Sequence, residues 1–145
     1  MTILEGVSVT GIDLSQGRIQ RVRTSSSDIL TGAVFNCAGA WGAEVGSMAG
    51  VTVPVQPFPR HIFVTDPMPD LPRDHPMTID FGSSFYFHPE GEGLLFGMGL
   101  PDEKPSFDTA VDWATLETIA EVVERRAPRL GAAGIRTAWG WACMR

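Results

Sequence analysis

A chain of 145 residues with 43% hydrophobic content is long enough to bury one sizeable core; at such a length roughly 70% of the surface exposed by the unfolded chain is removed from water. The net charge of −6, with no basic cluster larger than the Arg125-Arg126 pair, offers no electrostatic footprint for nucleic acid or for an anionic lipid surface. Cys37 and Cys143 stand far apart without C-x-x-C spacing, so no metal site and no disulfide framework is expected, and a reducing, cytoplasmic setting fits. No apolar run approaches the ~20 residues of a membrane span, and Met1-Thr2-Ile3-Leu4-Glu5 lacks the basic and apolar regions of a secretion signal.

In chain order, Val7 to Leu14 alternates apolar and polar residues, and Ile19 to Thr24 does so again after Ser15-Gln16-Gly17-Arg18. This pattern predicts a hairpin in which Gly17 supplies a positive φ. Asp28–Leu30 and Ala33–Asn36 are expected as short strands, the second leading into Ala38-Gly39-Ala40-Trp41 and a helix that begins near Trp41. The prolines between Val51 and Pro59 exclude helix and predict an extended crossing segment. His61–Thr65 resumes as a strand, and the proline- and aspartate-rich stretch Asp66–Pro76 is a loop. Phe85–Pro89 and Gly93–Met98 flank Glu90-Gly91-Glu92 as a second hairpin. A long helix over Ala110–Ala127 follows from the three- and four-residue steps of Trp113, Leu116, Ile119, Ala120 and Val123, with Asp108 or Thr109 as its cap and Pro128 as its stop. Ile135–Ala142 closes the series as a strand. The fold class is α+β, with a mixed or antiparallel sheet and two helices.

Two constellations carry candidate chemistry. A strand that ends at Gly39 and turns into a helix exposes backbone N–H groups where no Cβ intervenes, a geometry for cradling an anion; small residues there also serve tight packing alone. In Ser84-Phe85-Tyr86-Phe87-His88-Pro89, period-two alternation puts Tyr86 and His88 on one face and Phe85 and Phe87 on the other. A phenol beside an imidazole can orient a substrate or relay a proton, and the same pair also suits the solvent face of an edge strand. His61 and His75 are expected as exposed polar residues without metal ligands around them. No G-x-S-x-G, P-loop or H-E-x-x-H occurs, so hydrolase and NTPase readings lack a nucleophile or a phosphate loop.

Taken together, "VSVTGIDLSQGRIQRVRT", "AVFNCAGAWGAEVGSMAGVTVPVQPFPRHIFVTDP", "FYFHPEGEGLLFGMGLPDE" and "GWA" resemble, in order and spacing, the central part of the D-amino-acid oxidase superfamily, on the side of the sarcosine oxidase β subunit and glycine oxidase. The resemblance implies FAD as cofactor, with Val9 at the adenine and Ala38, Gly39 and Trp41 along the ribose and pyrophosphate. It implies that Tyr86, followed by Pro89 as in the family's Y-x-x-P strand, reaches over the flavin to a substrate carboxylate, with His88 lining the same pocket. It further implies oxidation of the C–N bond of a small amine or amino acid by hydride transfer to flavin, and partner subunits where the enzyme is assembled from several. Residues 1–50 are expected to be a partial FAD-binding domain, and residues 51–145 a substrate-binding, catalytic domain.

Departures from the family pattern are equally specific. The G-x-G-x-x-G on which the pyrophosphate rests is not in the sequence, the segment after Gly140-Trp141-Ala142 differs, and Gly99 stands where monomeric sarcosine oxidases have an active-site histidine. The chain thus has the look of an internal fragment of a flavoenzyme. A non-redox α+β domain that binds a small acid, and an inactive gene remnant, remain alternatives at this point.

Overall fold

Ser15-Gln16-Gly17-Arg18 closes the first hairpin of the computed structural model, which describes residues 1–145. Val9–Ser15 (β1) and Arg18–Thr24 (β2) pair antiparallel, with Ser15 opposite Arg18. Gln16 at φ 50° and Gly17 at φ 73° give the doubly positive turn whose twist matches the strands it joins. The expected strict alternation of β1 fails, because register shifts between Val9 and Gly11 and between Asp13 and Leu14 bury Gly11 and Ile12 side by side and turn Val9 outward. Ile29–Leu30 (β3) adds a short third strand against β2.

Ala33–Asn36 is not the strand expected. Its residue types suit one, yet no strand of this chain lies beside it to complete a ladder, and Phe35 is 92% exposed. The chain then enters a single 3₁₀ turn, Gly39–Trp41, that runs directly into the helix Gly42–Met48 (α1). A helix therefore does begin next to Trp41, but from a turn and not from a strand. These elements belong to one compact unit, Met1–Pro57 with Met144–Arg145, whose buried apolar side chains are few: Ile12, Val22 and Ala40.

The second unit, Phe58–Cys143, holds the main core. Its five-stranded sheet is built from Pro57–Thr65 (β4), Thr78–Asp80 (β5), Phe85–Glu90 (β6), Gly93–Gly97 (β7) and Ile135–Met144 (β8), in the order β5-β6-β7-β4-β8. The β5–β6, β6–β7 and β4–β7 pairs are antiparallel. β4 begins at Pro57, ahead of the expected start at His61, while Asp66–Pro76 is the irregular loop expected.

Trp113–Arg126 (α2) starts later than the predicted Ala110 because Asp112 supplies the cap, accepting from the Ala114 N–H at 3.0 Å. Asp108 instead accepts from the Ala110 N–H at 2.9 Å and closes a separate turn ahead of the helix. The buried stripe keeps the expected Ile119 and Val123 and adds Thr115 and Val122, while Ala120 is exposed. Trp113, also expected in the stripe, is half exposed yet sets its ring 6.0 Å from that of Phe63. Phe63, Phe85, Leu94, Phe96 and Met98 form one face of the sheet and pack with Ile119, Val122 and Val123.

The β5–β6 connection is pinned by Asp80, whose carboxylate accepts from the Gly82 N–H at 3.2 Å and the Ser83 hydroxyl at 2.8 Å and pairs with Arg126 of α2 at 3.0 Å. Those hydrogen bonds hold the Asp80 carboxyl below its ordinary range. The entry to β6 is thereby tied to the helix, although Ser84, at φ 62°, bends there in the left-handed region.

Candidate functional site

The sheet face opposite α2 is where the predicted substrate residues lie. Ile62, Val64 and Leu95 cluster there with Tyr86 packed against them. Tyr86, Gly97 and Ile62 are direct cross-strand partners in one row, and His88 lies opposite Leu95 in the next. The alternation expected for Phe85–His88 therefore holds: Phe85 and Phe87 go to the α2 side, Tyr86 and His88 to the other. Nδ1 of His88 sits 2.8 Å from the Pro89 carbonyl oxygen, an acceptor, so that nitrogen is the donor.

What lets the Tyr86 phenol lie across the sheet is the absence of a side chain on its partner. A methyl group at Gly97 would stand 2.6 Å from Oη and 2.9 Å from Cζ of Tyr86, and 3.0 Å from the His61 carbonyl oxygen. Two residues further on, just past the end of β7, Gly99 also carries no side chain, and there the Arg60 guanidinium lies, with Nη2 at 3.7 Å from where a methyl would be. Arg60 is paired with Glu103, and the Glu103 carboxylate also accepts from the Leu100 N–H at 3.1 Å. Gly97, Arg60 and Glu103 were missed by sequence reasoning. The available signal was the two-residue spacing of Gly97 and Gly99 at and just past the end of the strand that pairs with Tyr86, together with the two-residue step from Arg60 to Ile62.

His61 corrects the expectation of an exposed polar residue: β4 alternation turns it toward the α2 side, where it is buried and Nε2 donates to the Ala110 carbonyl at 3.1 Å. Partial burial raises the Tyr86 phenol above its ordinary pKa of 10.0, an effect that the positive charge of Arg60 opposes. Tyr86 thus remains a neutral donor throughout the neutral and mildly alkaline range. As the chain's single tyrosine, it should show its absorbance change at 295 nm only above pH 10.0, with the folded state losing stability as the pH rises through that window. A midpoint at or below 10.0 would show that the phenol is not buried against the sheet.

The residues assigned to cofactor contact lie in the first unit. Gly39 adopts φ +54° and has nothing within 4 Å of the direction a Cβ would take, so backbone is bare at that bend. The Trp41 N–H closes the turn onto the Ala38 carbonyl at 3.0 Å while its side chain is 50% exposed. Val9 is exposed on β1, against which α1 packs. The open backbone at Gly39 and the accessible Trp41 ring fit a large planar cofactor laid along this bend.

A family model described as FAD dependent oxidoreductase, DAO, matches residues 1–145. The chain belongs to the DAO family of FAD-dependent oxidoreductases. Mitochondrial sarcosine dehydrogenase of Mus musculus is 30% identical over 93% of this chain, and sarcosine oxidase subunit beta of Rhizobium meliloti 28% identical over 95%. Among solved structures, L-proline dehydrogenase from P. horikoshii superposes with a TM-score of 0.82 at 26% identity over 96% of the chain. Glycine oxidase from Geobacillus kaustophilus shares the DAO fold, with a TM-score of 0.77 at 20% identity. The chain spans 16% and 33% of the first two proteins and 38% of the L-proline dehydrogenase chain. No helix is long and apolar enough to cross a membrane.

Proposed function

We propose that these residues contribute to an FAD-dependent oxidoreductase that oxidises the C–N bond of a small amino acid or secondary amine. The observation that carries this reading is Tyr86, a neutral phenol laid over the bare backbone of Gly97 in a chain whose whole length matches the DAO family. In this reading residues 51–145 supply the substrate face and residues 1–50 part of the FAD-binding domain, with Val9, Ala38, Gly39 and Trp41 along the cofactor. FAD, when bound, supplies the acceptor for the hydride leaving the amine carbon. Tyr86 donates a hydrogen bond to the substrate carboxylate and so orients that carbon, His88 lines the same face, and the apolar Ile62–Leu95 floor keeps water away. Positioning is the chain's contribution, and no strong base on this face is required.

The names of the relatives suggest substrates of the sarcosine, glycine or proline type, and the subunit designation of the Rhizobium meliloti protein suggests partner subunits. Cys37 and Cys143, joined by no disulfide, support a reducing, cytoplasmic setting.

The test is flavin colour and its loss. In a polypeptide of the relatives' length that carries these residues, absorbance near about 450 nm should bleach on anaerobic addition of sarcosine, glycine or L-proline. Tyr86→Phe should lower kcat/KM by about one to two factors of ten with flavin content unchanged, the range for losing a hydrogen bond to a charged group. Trp41→Ala should do the reverse and reduce flavin occupancy first. A colourless product, a Tyr86→Phe variant with unchanged turnover, or one that loses its flavin, would overturn the assignment.

A further inference from the structure

On the α2 side of the second unit, away from the substrate face, the loop Asp66–Pro76 and the turn that follows α2 leave a cleft of about 330 Å³ between them. Its floor is apolar, made by Leu71, Phe87, Leu94 and Leu130. His75 forms one wall. Sequence reasoning expects this histidine to be an exposed polar residue, whereas its ring lies half-buried 5.3 Å from that of Phe87, tilted by 34°, with Nδ1 donating to the Pro76 carbonyl at 2.7 Å. Ligand pockets run from roughly 300 to 1,000 Å³, so a cleft at the lower end takes a single ring or a short branched chain.

Both walls are held in place by the protein itself. The Leu71 N–H donates to the Met68 carbonyl at 3.1 Å, the Met68 N–H to the Glu92 carbonyl at 2.7 Å, and the Arg73 guanidinium to the Gly91 carbonyl, which ties the proline-rich loop to the β6–β7 turn. On the other side, the Ala127 N–H donates to the Val123 carbonyl at 2.8 Å and the Leu130 N–H to the Ala127 carbonyl at 2.8 Å, fixing the turn that carries Pro128 and Arg129. Fixed walls spare a ligand most of the cost of ordering its site.

The charge around the cleft is one-sided. Asp and Glu outnumber Lys and Arg by 17 to 11 in the chain, yet no carboxylate lines the cleft, while Arg126 and Arg129 do. Arg126 directs Nε to Asp80 at 3.0 Å. Arg129 makes no hydrogen bond or ion pair; Asp66 and Asp70 line the neighbouring depression beyond it without pairing with it. A guanidinium with no protein carboxylate, set beside an apolar floor, complements a carboxylate attached to an apolar body.

We propose that this cleft binds a small apolar carboxylate, an aromatic or branched-chain acid, with its apolar part on Phe87, Leu94 and Leu130 and its carboxylate at Arg129. The site lies on the opposite side of the sheet from Tyr86 and His88 and does not rest on the proposed oxidation.

Phenylacetate is the probe and phenylethanol its uncharged counterpart. The NMR signals of the three histidine rings, isotopically labelled in the 145-residue chain, are the reporters at fixed pH, and His75→Gln assigns the one that matters. Phenylacetate should move the His75 signal saturably in the millimolar range and leave that of His88, on the other face, in place. It should bind about tenfold more tightly than phenylethanol, as expected for a charge-assisted hydrogen bond. Arg129→Gln should bring that ratio close to one with the affinity for phenylethanol unchanged, and Arg129→Lys should keep part of it. Arg129 is exposed, so neither substitution disturbs the core. The absence of a saturable change at His75, a change at His88 in its place, equal affinity for acid and alcohol, or a ratio unaltered in Arg129→Gln overturns the proposal. None of these outcomes bears on the oxidoreductase reading, which is decided by flavin bleaching.

Discussion

Phe63→Ala should remove about 3–5 kcal/mol from the stability of the second unit, the range for deleting a fully buried aromatic ring. Phe63 is 0% exposed, its ring stacks on Phe96 at a centroid distance of 5.6 Å, and the Trp113 ring covers it from the start of α2. Alanine would leave a void between β4 and the helix that the surrounding rings cannot close without leaving their rotamers. Since domains of this size are stable by only about 5–15 kcal/mol, the variant should unfold at a urea midpoint lower by about 2 M and sit near the edge of folding at body temperature. Equilibrium urea unfolding followed by tryptophan fluorescence measures this. A loss below about 1 kcal/mol would mean that α2 does not seal the sheet as described.

Gly97→Ala should be the most damaging single-methyl change on the candidate site. The added methyl meets a backbone atom, the His61 carbonyl oxygen at 3.0 Å, and the Tyr86 ring at 2.9 Å and hydroxyl at 2.6 Å. The ring can swing away and the carbonyl cannot, so overpacking should cost about 1–3 kcal/mol and move the phenol off the strand. In a flavin-carrying polypeptide, KM for a carboxylate-bearing amine should rise about tenfold with flavin content unchanged. Gly99→Ala is the internal control: its methyl would meet only the Arg60 guanidinium at 3.7 Å or beyond, an ordinary contact, and stability should hardly change. A double-mutant cycle with Tyr86→Ala separates the two clashes, because a cost that persists in full without the ring belongs to the His61 carbonyl. Equal tolerance of alanine at both glycines would show that the phenol does not lie over Gly97.

The elements that the sequence by itself determined are those whose signal is local. The turn at Gln16-Gly17, the opposition of Tyr86 and His88 to Phe85 and Phe87, the loop Asp66–Pro76 and the existence of two helices all follow from backbone preference and from periods of two and 3.6 residues. The motif order also carried the family resemblance, and the family model matches residues 1–145. Features that depend on a distant partner were decided only by the tertiary structure. Ala33–Asn36 has strand-type residues and no neighbouring strand to bond with, so its character as an element is a property of the surroundings. The sequence offered Asp108 or Thr109 as the cap of the long helix, whereas Asp112 caps α2, whose Ile119, Val122 and Val123 pack on the sheet. His61 reads as polar and exposed until the register of β4 turns it inward to the Ala110 carbonyl. The Arg60–Glu103 pair joins residues 43 positions apart, and Tyr86 lies over the bare backbone of Gly97 only because β6 and β7 align those positions. Cross-strand registry and burial are set by the free energy of the whole core, which no local window of the chain contains.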